Sequence, residues 1–527
     1  MQHCDREFYN RAAPIPLHGV GLSVDVFSPE LLDLDSALEQ AGVRPDYWEV
    51  FEAPSAELAR IRRALALTPC AYHAEGVWLI DPELVSRFPW VEQTRRMARH
   101  AENLGAAWIN HECASKQFAG YSFGTYLPPL FTRAAAEVTA ANAVRCQRVL
   151  DQWFESTALR PAPLLLLELP PLTYFSFGDL APAEFFAEIA QAAPCGFVLD
   201  IGHLWTIWRY GQRDGVSLDS FTETFLEAFP LHRVIQVHLA GLASAHYTLP
   251  PRDRQDGRFS QDTLPPRDRR DAPFSHDTLP LRDRQDGRFS QDLGESDVPL
   301  WIDAHGAPVP HVLWRLLDRV LAHPGLTSLK GVALEVDTKA VPLIVEEFGE
   351  LRERSATVDL RTDSVSKPRP SHSQPIPSSG TGVLPELYGT YARVVSGQQT
   401  VEKSLLEPLS QNLNREGLHQ YIRDYLPNEL LHWGGDLEDL FPQVSRTLKE
   451  RGIGQQEFVR FWFRQPYPAQ DAYDFFDIKL DRWMEFVREV APDLAKETER
   501  EVTVLQRLHA ELNHDAVPSA PRSWETS

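Results

Sequence analysis

Cysteine is scarce in this sequence and forms no pattern. Five occur in 527 residues, Cys4, Cys70, Cys113, Cys146 and Cys195, with no CxxC pair among them. An odd number without close pairs argues against a disulfide framework or a zinc–thiolate knot and suits a reducing compartment. A long apolar run is also missing. Met1 to Pro16 carries Asp5, Arg6 and Glu7 where a signal peptide needs apolar residues. The greasiest stretch, Pro163 to Leu169, is far too short to span a bilayer and contains Glu168. A cytoplasmic location is therefore expected. Positive charge is in deficit, with a formal net charge of -22. Such a surface repels nucleic-acid phosphates and anionic membranes, so neither is expected as a partner. No Gly-rich phosphate fingerprint follows an early β-like run, which weighs against a doubly wound nucleotide-binding sheet.

What is present is an alternation. Between Gly19 and about Pro342, eight short apolar runs rich in Val, Ile, Leu and aromatics alternate with helical stretches. The runs are Gly19–Val24, Tyr47–Ala53, Cys70–Val77, Ala106–Ala114, Pro163–Leu169, Cys195–His203, Val234–Gly241 and Gly331–Asp337. They read as buried parallel strands, and the alternation predicts an α/β fold, a (β/α)₈ TIM barrel. The barrel unit is expected over residues 1–355.

Three copies of a polar, Pro-, Asp- and Arg-rich 15-residue unit interrupt it at 248–292. They lack the apolar area to offset the entropy of ordering, so a disordered insertion is expected after the seventh strand. A Pro/Ser linker at 356–383 leads to a separate all-α C-terminal domain at 384–513, and a disordered tail follows at 514–527. Helical spacing marks Leu405–Leu426, Leu437–Glu450 and Phe475–Leu512. The aromatic cluster Phe458, Phe461, Trp462, Phe463, Tyr467, Tyr473, Phe475 and Phe476 reads as this domain's core, with a peptide-docking groove as the alternative.

The chemistry lies at the strand ends, which in such a barrel share one mouth. In chain order they offer Glu49 and Glu52, His73, His111, Glu168, Asp200 and His203, His238, then Asp303 and His305 in the following loop, and Glu335 and Asp337. A lone histidine such as His238 reads as a hydrogen-bonded core group. Carboxylates and imidazoles on one strand end after another read differently, because converging buried carboxylates need cations. Without thiolates the set suits zinc, manganese or non-haem iron, and it is too large for one ion. Cys113 reads as a buried structural cysteine.

These motifs, in this order, resemble the multinuclear iron-dependent oxidative enzymes, TIM-barrel relatives of the methanobactin-maturing iron enzyme. The resemblance covers about residues 19–342. It is carried by GVGLSV, YWEVFEA, His73 in CAYHAEG, His111 in INHECA, YLPPLFT, Glu168 in LLLELPPLTYF and Asp200 in VLDIGHLW. HLAG with His238, WIDAHGAPVP with Asp303 and His305, and LEVDTKAVP with Glu335 and Asp337 complete it. Leu169 stands where the family has Asn, and His203 stands where many members have Asn and offers a compensating ligand.

The resemblance implies two or three iron ions, dioxygen as co-substrate and oxidation of a precursor peptide at cysteine during ribosomal peptide natural-product maturation. It implies His73, His111, Glu168, Asp200, His203, His238, Asp303, His305 and Glu335 as metal ligands. Glu49, Glu52 and Asp337 would orient them. A separate peptide-presenting partner protein is also implied, a role the fused helical domain could fill. Two other readings remain open at this point. One is a non-redox divalent-metal barrel of the sugar isomerase or phosphodiesterase type. The other is a degenerate barrel that serves as scaffold for the helical domain.

Overall fold

The computed structural model describes residues 3–244, 301–356 and 381–514, apart from 28, 66–67, 88, 158–160, 172–173, 212–214, 433–434 and 468–473. The repeat insertion, most of the Pro/Ser linker and nearly all of the C-terminal tail lie outside the described residues.

All eight expected strands form. They are β1 (Gly19–Val24), β2 (Tyr47–Phe51), β3 (Cys70–Ala74), β4 (Ala106–Glu112), β7 (Leu164–Glu168), β8 (Gly196–Asp200), β9 (Val234–Leu239) and β12 (Gly331–Glu335). They close into one barrel in the order β1-β2-β3-β4-β7-β8-β9-β12, with β12 pairing back onto β1, all in parallel. The fold is a TIM barrel with a helical C-terminal region. Two antiparallel strand pairs are inserted, and the sequence pattern did not announce them. β5 (Ser115–Phe118) pairs antiparallel with β6 (Tyr121–Leu127) directly after β4, and β10 (Leu242–Ser244) pairs with β11 (Trp301–Asp303) after β9.

One predicted strand is too long. The run Cys195–His203 stops at Asp200, and Ile201–Gly211 is a helix. The Asp200 carboxylate accepts from the backbone N–H of His203 at 2.6 Å, the work of an aspartate at a helix start. His203 therefore sits on the first helical turn and not on the strand.

Period-two alternation sorts the barrel interior into layers. At the N-terminal end Tyr47, Trp108, Leu164, Leu166, Val198 and Ile235 pack with Phe8, Ala12 and Ile15, so the helix His3–Ala12 and the residues after it plug the barrel bottom. Above lies a polar rung, where the Trp108 indole donates to Gln236 at 2.7 Å and the Gln236 amide donates to the Tyr47 hydroxyl at 3.0 Å. The top layer holds the candidate ligands.

In the C-terminal region, the continuous helix expected over Leu405–Leu426 is broken. Two 3₁₀ turns, Val401–Lys403 and Glu407–Leu409, precede a helix that starts at Arg415 under an Asn414 cap. Phe475–Leu512 resolves into two helices, Asp474–Val490 and Ala495–His514, since Pro492 cannot continue the first. Phe458, Phe461, Trp462, Phe463 and Phe475 are buried, in line with the core reading; Tyr473 lies outside the described residues. These helices pack on three segments that follow β4, β7 and β8: the hairpin strand β5, the loop at Tyr174 and the end of the helix Ile201–Gly211. Tyr388 stacks on Phe118, Tyr425 meets Tyr174 edge-on at 5.4 Å, and Asn414 donates to the Tyr210 carbonyl. Among the described residues no helix is long and apolar enough to cross a membrane.

Candidate metal centre

Register delivers the site. Ser23 pairs with Glu49 on one side and Glu335 on the other, Glu112 with Glu168, and Asp200 with His238. Their inward side chains, with His73 from β3, make one ring at the C-terminal ends of the strands. Glu49, His73, Glu168, Asp200, His238 and Glu335 are each buried.

The contacts are those of a tight polyvalent cluster. His238 Nε2 lies 2.9 Å from Glu49, and its Nδ1 lies 3.1 Å from Glu168 and 3.3 Å from Glu335. His73 Nε2 lies 3.4 Å from Glu168 and 3.9 Å from Glu112. Asn110 donates to Glu168, and the Ser23 hydroxyl donates to Glu49 at 2.9 Å. At the outer edge His305 Nε2 lies 3.5 Å from Glu335 while its Nδ1 lies 3.1 Å from Asp337. His203 Nδ1 faces the Leu169 carbonyl at 2.7 Å and lies 3.7 Å from Asp200.

Among the described residues, three overlapping groups have the spacing to hold a metal ion: Glu168, Asp200, His238 and Glu335; Glu49, His73 and Glu335; and His73, Glu112 and Glu168. In each, one ligand atom per residue lies within 4.8 Å of the others. His73, Glu168 and Glu335 each belong to two groups, as ligands shared between neighbouring ions would. The donor set fits a metal in a second way. Among the described residues, Glu49 Oε2, His111 Nε2 and Glu112 Oε2 are buried with no hydrogen-bond partner, an arrangement that is costly unless something else satisfies them.

Electrostatics record the same strain. Burial pushes the Glu335 carboxyl up to about 8, although His305 and His238 pull the other way. Burial, reinforced by Glu168, holds Glu112 well above the carboxylate range. Glu168 goes the opposite way: burial would raise it, but His238 and His73 outweigh that and hold it well below. His238 rises well above an ordinary histidine, because the surrounding Glu168, Glu49 and Glu335 overcome its burial. Burial lowers the His111 imidazole to about 4. Carboxylates packed this closely divide protons unevenly.

A consequence can be measured. Near neutral pH the metal-free protein keeps a proton on Glu335, so binding a divalent cation is expected to release at least one proton. Titration calorimetry in two buffers of different ionisation enthalpy counts it; identical enthalpies in both would contradict the expectation. The sign of the stability change follows. The Glu335 value in the fold lies above the ordinary 4.5, so its contribution to metal-free stability is full below 4.5 and is lost as pH rises through about 8. Bound metal should remove that decline.

The sequence-derived site residues divide as follows. His73, Glu168, Asp200, His238 and Glu335 come together in the three groups, and His203 and His305 touch the cluster. His111 joins none of the groups. It sits one residue out of phase with Asn110 and Glu112, Trp78 lies edge-on to its ring at 6.1 Å, and its Nδ1 faces the Glu112 carbonyl. The backbone of Asp303 lies on β11, and its side chain lies outside the described residues. Glu49, expected only to orient ligands, stands within a group, whereas Glu52 pairs with Arg96 at 3.1 Å and Asp337 accepts from the Asp25 backbone. Glu112 was missed. The signal was available: alternation along INHE puts residues 110 and 112 on one face and 111 on the other.

Residues 17–254 match the family model described as RiPP precursor modification enzyme MbnB/TglH/ChrH, RiPPs being ribosomal peptide natural products. A UPF0276 protein of Caulobacter vibrioides is 29% identical over 153 residues, which are 29% of this chain and 48% of that protein. The chain thus spans about half of that relative's length. A second UPF0276 protein of Caulobacter vibrioides is 23% identical over 272 residues, 51% of this chain and 71% of the relative. Among solved structures, endonuclease IV from Thermus thermophilus aligns over 64% of this chain and 99% of its own, with 13% identity and a TM-score of 0.34. D-psicose 3-epimerase from Clostridium cellulolyticum aligns over 64% and 99%, with 9% identity and a TM-score of 0.35.

Proposed function

We propose, from the match of residues 17–254 to the model of RiPP precursor modification enzymes MbnB/TglH/ChrH, that this protein belongs with them and oxidises a cysteine of a precursor peptide, using two or three iron ions and dioxygen in the cytoplasm. The observation that supports this most is the trio of overlapping buried groups, rich in carboxylate and imidazole and free of thiolate. When bound, iron supplies an open position for a thiolate and the redox chemistry that lets dioxygen serve as oxidant.

The chain's own residues then have separable tasks. His73, Glu168, Asp200, His238 and Glu335 hold the ions, with Glu49 and Glu112 beside them. His203, His305, His111 and Asp303 are the further ligands the sequence suggests. Asn110 and Ser23 fix the Glu168 and Glu49 carboxylates by donating to them. The barrel wall keeps water from the buried ligands, which strengthens each charge interaction within. The helical region takes the part of peptide presenter, since it sits on segments that follow β4, β7 and β8.

The test is metal and product analysis together. Protein purified without oxygen should carry two to three irons per chain, and co-expression with a cysteine-containing precursor peptide encoded nearby should change the peptide's mass only when dioxygen is admitted. Zinc or magnesium at stoichiometric level, with no oxygen uptake, would overturn the reading.

A further inference from the structure

The hairpin β5–β6 leaves the end of β4 immediately after His111 and Glu112 and returns to the barrel at Leu127. A lone two-stranded hairpin is marginal in water and needs cover. Here the helical region supplies it. Trp462 Nε1 donates to the Ser122 carbonyl at 2.7 Å, and the Ser122 hydroxyl donates to the Tyr467 carbonyl at 3.1 Å. Phe123 packs on Phe463 with ring centroids 5.4 Å apart. Gly124 has φ +70, and a Cβ there would lie 2.7 Å from the Phe475 ring, so this turn of backbone is moulded to the helix that carries Phe475.

The base of the same hairpin reaches the metal-site rim. Lys116 pairs with Glu75 and lies 4.5 Å from the centre of the Tyr126 ring, and the Tyr126 hydroxyl donates to Glu75 at 3.0 Å. Glu75 is two residues beyond His73, and its backbone N–H donates to Glu52 at 3.0 Å. Trp78 stands between Tyr126 and His111, with ring centroids 6.3 Å from one and 6.1 Å from the other.

We propose that the hairpin Ser115–Leu127 couples the helical region to the metal centre: the helices hold its tip, and its base holds Glu75 through Lys116 and Tyr126, which act as positioning residues for the β3 and β4 ends carrying His73, His111 and Glu112. This rests on the metal-site reading but not on the identity of the metal. It makes the helical region a structural part of the site in addition to any role toward peptide.

Cobalt(II) added to the metal-free full-length chain provides a probe without turnover, because its visible bands report ligand geometry. Amide exchange is followed in parallel. Gly124→Leu should speed exchange across 115–127 and also at 73–76, weaken cobalt binding about ten- to a hundred-fold, as loss of outer support typically does, and shift the bands. Tyr126→Phe keeps the ring and removes only the hydroxyl. It should shift the bands in the same direction and leave exchange at 384–395 unchanged. Should Gly124→Leu fail to fold, Trp462→Phe deletes one hydrogen bond to Ser122 and serves the same comparison. Faster hairpin exchange with wild-type exchange at 73–76 and wild-type bands overturns the proposal. If the wild-type chain takes up no cobalt, the metal-site reading falls, and exchange at 73–76 still decides the coupling.

Discussion

Glu168→Ala should abolish metal loading and with it turnover, while the metal-free variant stays folded. Glu168 belongs to two of the three ligand groups and touches His73, His238 and Asn110. Replacing groups that merely support ligands costs about ten- to a hundred-fold in metal affinity; removing a carboxylate shared by two positions should exceed that and empty both. The fold should tolerate the change, because His238 still has Glu49 at 2.9 Å and Glu335 at 3.3 Å as counter-charges. Stability of the metal-free variant is expected within about 1–2 kcal/mol of wild type, near the cost of leaving the Asn110 amide unpaired. Elemental analysis beside circular dichroism separates the two effects. Wild-type metal content in the variant would remove Glu168 from the centre of the site.

At the other end of the barrel, Arg233→Met should destabilise the protein by about 3–5 kcal/mol without touching the metal site, since several buried acceptors lose their donor at about 1–3 kcal/mol each. The Arg233 side chain is wholly buried just before β9. It donates to the carbonyls of Ala190 at 2.6 Å, Ala193 at 2.7 Å and Cys195 at 3.3 Å, and to Asp5 at 2.8 Å. It therefore caps the helix Pro182–Ala192 with a cation and pins the N-terminal helix beneath the barrel. Methionine fills similar space but leaves those acceptors buried and unmet. The melting midpoint should fall and amide exchange over 3–12 should accelerate first, with metal stoichiometry unchanged. A variant as stable as wild type would mean that the plug depends on the apolar contacts of Phe8, Ala12 and Ile15 alone.

Much of this was legible in the amino-acid order. Eight apolar runs separated by helices specify a closed parallel barrel, since buried parallel strands need apolar residues on both faces and helices to connect them. Polar residues at the ends of such runs must gather at one mouth, which is how His73, Glu168, Asp200, His238 and Glu335 could be named. Local chemistry misled where two signals competed. The apolar stretch through Ile201 suggested continued strand, yet the carboxylate of Asp200 captures a backbone N–H and starts a helix under His203.

The sequence alone determined the kind of barrel and the chemical type of its candidate ligands, because both follow from periodicities a few residues long. Only the tertiary structure decided that Glu49 stands among the candidate ligands, and that a hairpin brings Lys116 and Tyr126 to Glu75 under the hold of the helices. Those outcomes depend on strand register and on contacts between residues hundreds of positions apart, and no local pattern encodes where such partners meet.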